Sequence, residues 1–365
     1  MTFKTVAIIG AGKMGSGIAT NIAQHDVDVR MIDVSEEAVA RALETITGVY
    51  ERSSERGRMS TEEASAAKAR LTGSADIKHA SDADLVIEAV FERFDLKAEL
   101  YRRLNPIVRQ DTVIATNTSC LTVNGLAQAI DDPGRFLGLH YFNPAAINPI
   151  VEVVQGEKTR KDIIDNVIAF CTVTSKKPIL CRDGYGFALN RFFVPYSNEA
   201  VRVYEEGLGT PANIDRIAEN AMGIAAGPFF VMNLVGMQTM AHAAENLTPH
   251  GSFYAPTTRV KEMGAENSQW DIGEPGTPDE AGDAGIVDRL WGATFLPILQ
   301  ALDEEIASPA DIDMGAGLAL RFGKAPCATM DAMGSIEVGR LISYYCDHYG
   351  IKMPNSLERV GSLLG

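Results

Sequence analysis

The stretch Val6-Ala7-Ile8-Ile9, followed by Gly10-Ala11-Gly12-Lys13-Met14-Gly15, decides how the chain is read. Its first four residues are apolar and mostly β-branched, as suits a buried strand of a parallel sheet. Beyond the glycines the period becomes helical, with Met14, Ile18 and Ile22 recurring on one face. Gly10 permits a tight turn, Gly12 lets backbone approach a pyrophosphate, and Gly15 lets the helix pack closely on the strand. The helix N-terminus then offers free N–H groups and a partial positive charge to phosphates. A second apolar strand, Val27 to Ile32, ends in Asp33. That is the spacing at which a carboxylate binds an adenosine ribose 2′-hydroxyl and repels a 2′-phosphate. The pattern predicts a dinucleotide site that takes NAD over NADP. A purely structural reading of Asp33 places it in a helix N-cap region with Ser35.

At 365 residues the chain is expected to form two or three domains. A net charge of −15 argues against nucleic acid and anionic membranes as partners. The sequence has no run of eighteen apolar residues and enters a strand almost at once, so no membrane insertion is expected. The cysteines at 120, 171, 181, 327 and 346 are odd in number and form no CxxC. That usage suits a reducing compartment without disulfides or a metal site, and a cytoplasmic location is expected.

From Ser35 to Arg70 an Ala/Glu-rich stretch has helical propensity. Its mixed-charge segment, Glu51 to Arg58, reads mainly as a solvated helix end. Arg52, Arg56, Arg58 and Lys68 are the candidates for a local basic patch. Further apolar strands are expected at 84–90, with Glu88 at its end, at Thr112 to Thr116, at Phe136 to Leu139 before His140, and at Ile150 to Val154. Helices are expected between them, from about Asp95 to Val108 and up to about Ile130. This alternation implies a doubly wound sheet with right-handed crossovers. Asp33, Glu88, Ser119 and His140 then fall on the rim where such sheets bind ligands.

Near Asp183-Gly184-Tyr185-Gly186 the pattern changes, and the rest of the chain reads as helical. There Pro211-Ala212-Asn213-Ile214-Asp215 returns 98 residues later as Pro309-Ala310-Asp311-Ile312-Asp313. Pro228, Met232 and Gly236 return at the same offset as Pro326, Met330 and Gly334. Equal gaps between several matches predict a duplicated helical domain. The expected architecture is therefore an α/β Rossmann-type domain (1–184) followed by two tandem all-α domains (185–270 and 285–365), joined by an acidic Pro/Gly-rich linker (271–284).

Among candidate chemical groups, His140 precedes a loop opening at the ligand rim. Glu152 lies within an apolar strand, where a carboxylate is costly without a partner. A neighbouring imidazole would be a natural one, held in one tautomer by the acid. The alternative for Glu152 is an edge-strand residue facing water. Ser119 and Asn190, taken singly, read as caps beside turns.

The ordered set GAGKMG with SGIA, DADLVIEAVFE, ATNTSCL, GLHYFNPAAINPIVEVV, GYGFALNR, and PYSNEA with PANID resembles the L-3-hydroxyacyl-CoA dehydrogenase family over nearly the whole chain. The resemblance implies a His–Glu pair at His140 and Glu152. It implies that Ser119 and Asn190 hold the substrate oxygen, so that Ser119, His140 and Asn190 all touch substrate. It implies NAD contacts at Gly10, Gly12, Lys13, Met14, Gly15, Asp33, Ala89, Glu92, Lys97, Asn117, Ser119 and Asn143. The mixed-charge segment and the duplicated C-terminal half are also similar to the dehydrogenase part of bifunctional fatty-acid oxidation enzymes, which places the expected chemistry in β-oxidation. The implied reaction is NAD-dependent oxidation of an (S)-3-hydroxyacyl-CoA. Same chemistry on a carnitine-like, free or sugar 3-hydroxy acid, and a non-catalytic NAD(H)-binding role, remain as alternatives. The implied assembly is a monomer with an internal pseudo-dimer of helical domains, or a homodimer. The family's Lys/Gly-rich segment after the first helical domain is replaced by Met263-Gly264-Ala265-Glu266-Asn267-Ser268-Gln269-Trp270. Asn233 stands where an acid is expected, whereas the second copy keeps Asp331.

Overall fold

The protein is described by a computed structural model covering residues 3–365, the side chains of Glu280 and Ala281 excepted. It divides into two compact units, residues 1–183 and 184–365. In the first, β1 (Thr5–Ile9), α1 (Lys13–Ala23), β2 (Asp28–Ile32), α2 (Glu36–Glu55), α3 (Thr61–Ala69) and β3 (Leu71–Ser74) form the first half. They are followed by β4 (Leu85–Glu88), α4 (Phe94–Leu104), β5 (Val113–Thr116), α5 (Val123–Ala127), β6 (Phe136–Tyr141), β7 (Ile150–Gln155), α6 (Lys161–Val173) and β8 (Lys177–Arg182).

The eight strands make one sheet in the order β3-β2-β1-β4-β5-β6-β7-β8, parallel throughout except for β6 against β7. Val6, Ile8, Val29, Met31, Leu85 and Ile87 are fully buried, as expected of strands covered on both faces. Strands β3 and β8 are only weakly marked in the sequence. β3 is short and contains Gly73, and β8 alternates exposed and buried positions. Because β8 covers its outer side, β7 is not an edge strand, and Glu152 is fully buried rather than facing water.

Two glycines of the opening turn are required by close approach. Gly10 has φ +116°, and a Cβ there would lie 2.4 Å from the Ala89 carbonyl oxygen. A Cβ on Gly15 would lie 1.8 Å from the Gly10 carbonyl oxygen.

The second unit contains α7 (Asn190–Glu205), α8 (Pro211–Met222), α9 (Pro228–Val235), α10 (Met237–Asn246), α11 (Thr258–Glu266), α12 (Glu280–Asp303), α13 (Pro309–Leu318), α14 (Pro326–Met333) and α15 (Ser335–Tyr349). The 98-residue offset relates contacts as well as letters. Asp215 accepts the Phe229 and Phe230 N–H groups at the start of α9. Asp313 accepts those of Cys327 and Ala328 at the start of α14. Gly236 and Gly334 both take positive φ, +95° and +81°, ahead of the next helix.

The halves also exchange bonds reciprocally. Ala225 N–H donates to the Arg321 carbonyl, and Gly323 N–H donates to the Gly223 carbonyl. The offset carries Ala225 onto Gly323 and Gly223 onto Arg321, so these are one bond with the halves exchanged. Likewise Arg191 forks onto Glu304, and Arg289 forks onto Glu206. Offset positions 191 and 289 are both Arg, and 206 and 304 are both Glu. The acidic segment expected as a linker to residue 284 lacks regular structure only to Asp279. Helix α12 begins at Glu280.

Candidate active site

The carboxyl ends of β4, β5 and β6 bring together the polar residues of the rim. His140 and Glu152 are direct partners in the β6–β7 register, so the antiparallel pleat sets their side chains on the same face. His140 Nδ1 lies 2.7 Å from Glu152 Oε2, and both side chains are buried. On the other side of the ring, His140 Nε2 lies 3.0 Å from Ser119 Oγ. Phe142 packs against the imidazole with ring centroids 4.6 Å apart. A buried carboxylate on one ring nitrogen and a hydroxyl on the other fix the imidazole's plane. That arrangement suits proton exchange at Nε2.

Ser119 sits in a turn after β5 that is tied down on all sides. Glu92 Oε1 accepts the Ser119 N–H at 2.9 Å and the Cys120 N–H at 3.0 Å, and it also takes the Thr118 hydroxyl. Asn117 Oδ1 accepts the Tyr141 N–H at 2.9 Å, joining this turn to the end of β6. Lys97 Nζ contacts Glu88 Oε1 at 2.6 Å and Glu92 Oε2 at 3.1 Å. Glu88 is completed by the Val90 N–H, the Tyr101 hydroxyl and the Thr116 hydroxyl. Burial pushes the Glu92 carboxyl up. Lys97, the Thr118 hydroxyl and the Ser119 N–H together outweigh that and hold it below the usual carboxylate range. Burial also opposes the Lys97 charge, but Glu88 and Glu92 more than offset it and raise the ammonium pKa.

Tyr101, Thr116 and Thr118 were not legible as site residues. Tyr101 lies four residues after Lys97, hence on the same face of α4 and within reach of one buried acid. That spacing beside Glu88 is the available signal. Lys176, also unforeseen, is buried just before β8 and donates to the Ala145 and Asn148 carbonyls, both at 2.7 Å. It staples the loop that contains Asn143. With no carboxylate among its contacts, burial lowers its pKa to about 8.

Several of the residues expected to contact NAD leave groups open to a ligand; Lys97, also expected there, does not, because its ammonium is buried between Glu88 and Glu92. Helix α1 has no side-chain cap and no acid in its first turn, leaving its N–H groups for a phosphate. A Cβ on Gly12 would meet nothing within 4 Å, so that position is open to a close ligand. Asp33 stands at the end of β2 and accepts the Ala11 N–H at 2.7 Å, while Ser35 separately caps α2. Lys13 and Met14 open α1, Ala89 follows β4, and Asn143 follows β6. A groove of about 470 Å³ adjoins the turn, lined by Gly12, Lys13, Ser16, Arg41, Thr45 and Ala146 among others. Its charged lining is cationic only, Lys13 and Arg41. Of the expected basic patch, Lys68 pairs with Glu51, and Arg56 and Arg58 are exposed. Asn190 is the first residue of α7, in the helical unit.

The chain belongs to the 3-hydroxyacyl-CoA dehydrogenase family. Residues 5–184 match the model of its NAD binding domain, and residues 186–270 match that of its C-terminal domain. It is thus built as an NAD-binding oxidoreductase. Among curated relatives, 3-hydroxyadipyl-CoA dehydrogenase of Escherichia coli is 36% identical over 233 residues, covering 64% of this chain and 49% of the relative. The chain therefore spans about half the length of that relative. A crystal structure of (S)-3-hydroxybutyryl-CoA dehydrogenase from Ralstonia eutropha is 30% identical with a TM-score of 0.72, covering 76% of this chain and all of the other. For the fold alone, a 3-hydroxybutyryl-CoA dehydrogenase structure from E. coli aligns over 100% of this chain and 99% of its own at TM-score 0.90 and 24% identity. No helix among the described residues is long and apolar enough to cross a membrane.

Proposed function

We propose that the protein oxidises (S)-3-hydroxyacyl-CoA thioesters to 3-oxoacyl-CoA, with His140 as general base. The observation that carries the reading is the line Ser119 Oγ–His140 Nε2 and His140 Nδ1–Glu152 Oε2. His140 takes the proton of the 3-hydroxyl through Nε2, and Glu152 holds the ring and stabilises the imidazolium that forms. Ser119 orients the substrate oxygen, and the family resemblance assigns Asn190 as its second contact. Bound NAD⁺ supplies the acceptor for the hydride leaving C3. In the reverse direction the same groups polarise the carbonyl and return the proton.

The groove beside the glycine turn has Lys13 and Arg41 as its charged lining, which suits an anionic phosphate of NAD or of CoA. A CoA thioester is favoured over a free acid because the relatives from E. coli and R. eutropha are named for CoA thioester substrates. We further infer that residues 185–270 and 285–365 are tandem helical domains. Their reciprocal contacts supply within one chain a two-fold arrangement of the kind a dimer makes.

The test is NADH-linked turnover of 3-hydroxybutyryl-CoA, longer 3-hydroxyacyl-CoA thioesters and the matching free acids, by the wild type and by His140→Gln. The expected result is turnover of the thioesters alone, lost by roughly 10²–10⁴-fold in the variant while NADH still binds. Faster turnover of the free acids would overturn the thioester, and wild-type rates in His140→Gln would overturn the base.

A further inference from the structure

We propose that Glu92, held by Lys97, is the positioning residue that fixes Ser119 against His140; the proposal rests on the roles given to Ser119 and His140 above. Three donors from consecutive residues converge on one oxygen of Glu92: the Thr118 hydroxyl and the N–H groups of Ser119 and Cys120. The serine's backbone is therefore oriented by a side chain from a different connection, between β4 and α4. Glu92 is itself a quarter exposed, and its second oxygen is anchored by the Lys97 ammonium.

Lys97 is only 1% exposed, so its charge is spent on protein groups rather than presented to a ligand. Its other contact, Glu88, ends β4 and has both oxygens occupied by Lys97, Val90 N–H, Tyr101 and Thr116. Order thus runs from the rigid centre of the sheet through Glu88, Lys97 and Glu92 to the turn, and from Ser119 Oγ to the imidazole. Such a chain matters because displacement of a reacting contact by about 1 Å can cost about 10²-fold in rate. One cation faces two carboxylates, so neutralising Glu92 leaves Lys97 and Glu88 as a balanced pair. Replacing Lys97 would instead leave the buried Glu88 and the neighbouring Glu92 without a cation between them, and Glu92→Gln is the cleaner probe.

The experiment is a double-mutant cycle of Glu92→Gln and Ser119→Ala, reading kcat and KM for the 3-hydroxyacyl-CoA substrate and NADH affinity by fluorescence titration. Thr118→Val removes one of the three converging donors and serves as the second probe should Glu92→Gln not fold. Expected are a fall of about tenfold or more in kcat at saturating NAD⁺ for Glu92→Gln, whether or not NADH affinity also falls, and little additional loss of kcat in the Ser119→Ala background. A full multiplication of the two losses overturns the proposal. So does a Glu92→Gln defect that appears in NADH affinity while kcat at saturation is unchanged, which would make Glu92 a cofactor contact only. A wild-type rate in His140→Gln would instead fault the assignment of the base, independently of the cycle.

Discussion

The two halves of the helical unit share a scaffold and differ in what they carry on it. Each has a Pro-opened helix, α8 or α13, capped by Thr210 or Ser308, whose Asp215 or Asp313 secures the start of the next. Each contributes an Arg and a Glu to the reciprocal forks. The difference lies one residue before each of those arginines. The first half has Asn190, in the GFALNR motif; the offset position is Asp288, an exposed acid paired with Arg340 on α15. Duplication kept the groups that hold helices together and did not keep the candidate substrate contact.

The clamps that close each half differ in the same instructive way. Asn233 accepts the Trp270 N–H and donates to the Trp270 carbonyl. Asp331 accepts N–H groups from Gly361, Leu363 and Leu364. An amide matches a partner offering both donor and acceptor, and a carboxylate matches donors only. The asparagine that departs from the family pattern is therefore accounted for by what it faces.

The sharpest break of this comparison would come from Asn190→Ala against Asp288→Ala. The first is expected to lower turnover by about 10²-fold or more, as for loss of one donor to a reacting oxygen. The second loses only an exposed ion pair and is expected to leave turnover as it is. Equal effects in steady-state assays would mean that both halves, or neither, serve the chemistry.

A smaller effect separates the two forks. Arg289 also binds Glu199, which is fully buried and otherwise meets Arg202, whereas Glu304, the partner of Arg191, is half exposed. Arg289→Met should cost about 3 kcal/mol or more, because it leaves a buried carboxylate under-compensated. Arg191→Met should cost less. Urea unfolding midpoints decide, and a larger loss for Arg191→Met would reverse the ranking.

The smallest expected effect is in the pH dependence of the two Asp caps. Burial raises the Asp215 carboxyl to about 6, against the pull of two backbone N–H groups, and burial likewise raises that of Asp313. A raised native pKa means the folded state binds the proton more tightly. The stabilisation is thus fully present below the ordinary carboxylate range and is lost as pH rises to about 6. The melting temperature of the wild type relative to Asp215→Asn should accordingly fall by a few degrees between about pH 4 and pH 6.5. A difference independent of pH would show that Asp215 titrates as an ordinary surface acid.

Much of the molecule was legible from local pattern. The glycine turn, Asp33, the strand ending at Glu88, the strands that lead to Ser119 and carry His140, and the 98-residue repeat all leave marks that a short window or a fixed offset detects. Strands β3 and β8 leave little, because one is four residues long around Gly73 and the other holds only three consecutive apolar residues, Ile179 to Cys181. Missing β8 is what left open a solvent-facing Glu152. Its burial follows from the neighbour strand and not from its own sequence context.

Local sequence was enough for the dinucleotide turn, the duplicated helical pattern, the order of most elements and the residue types available for chemistry. Periodicity and glycine sterics act over a few residues and survive in any single chain. Folding alone settles which charges meet: Lys97 lies between Glu88 and Glu92, and each arginine finds the glutamate of the other half. A buried charge needs its partner and its hydrogen bonds supplied at once, and here those partners come from different segments that only folding places together.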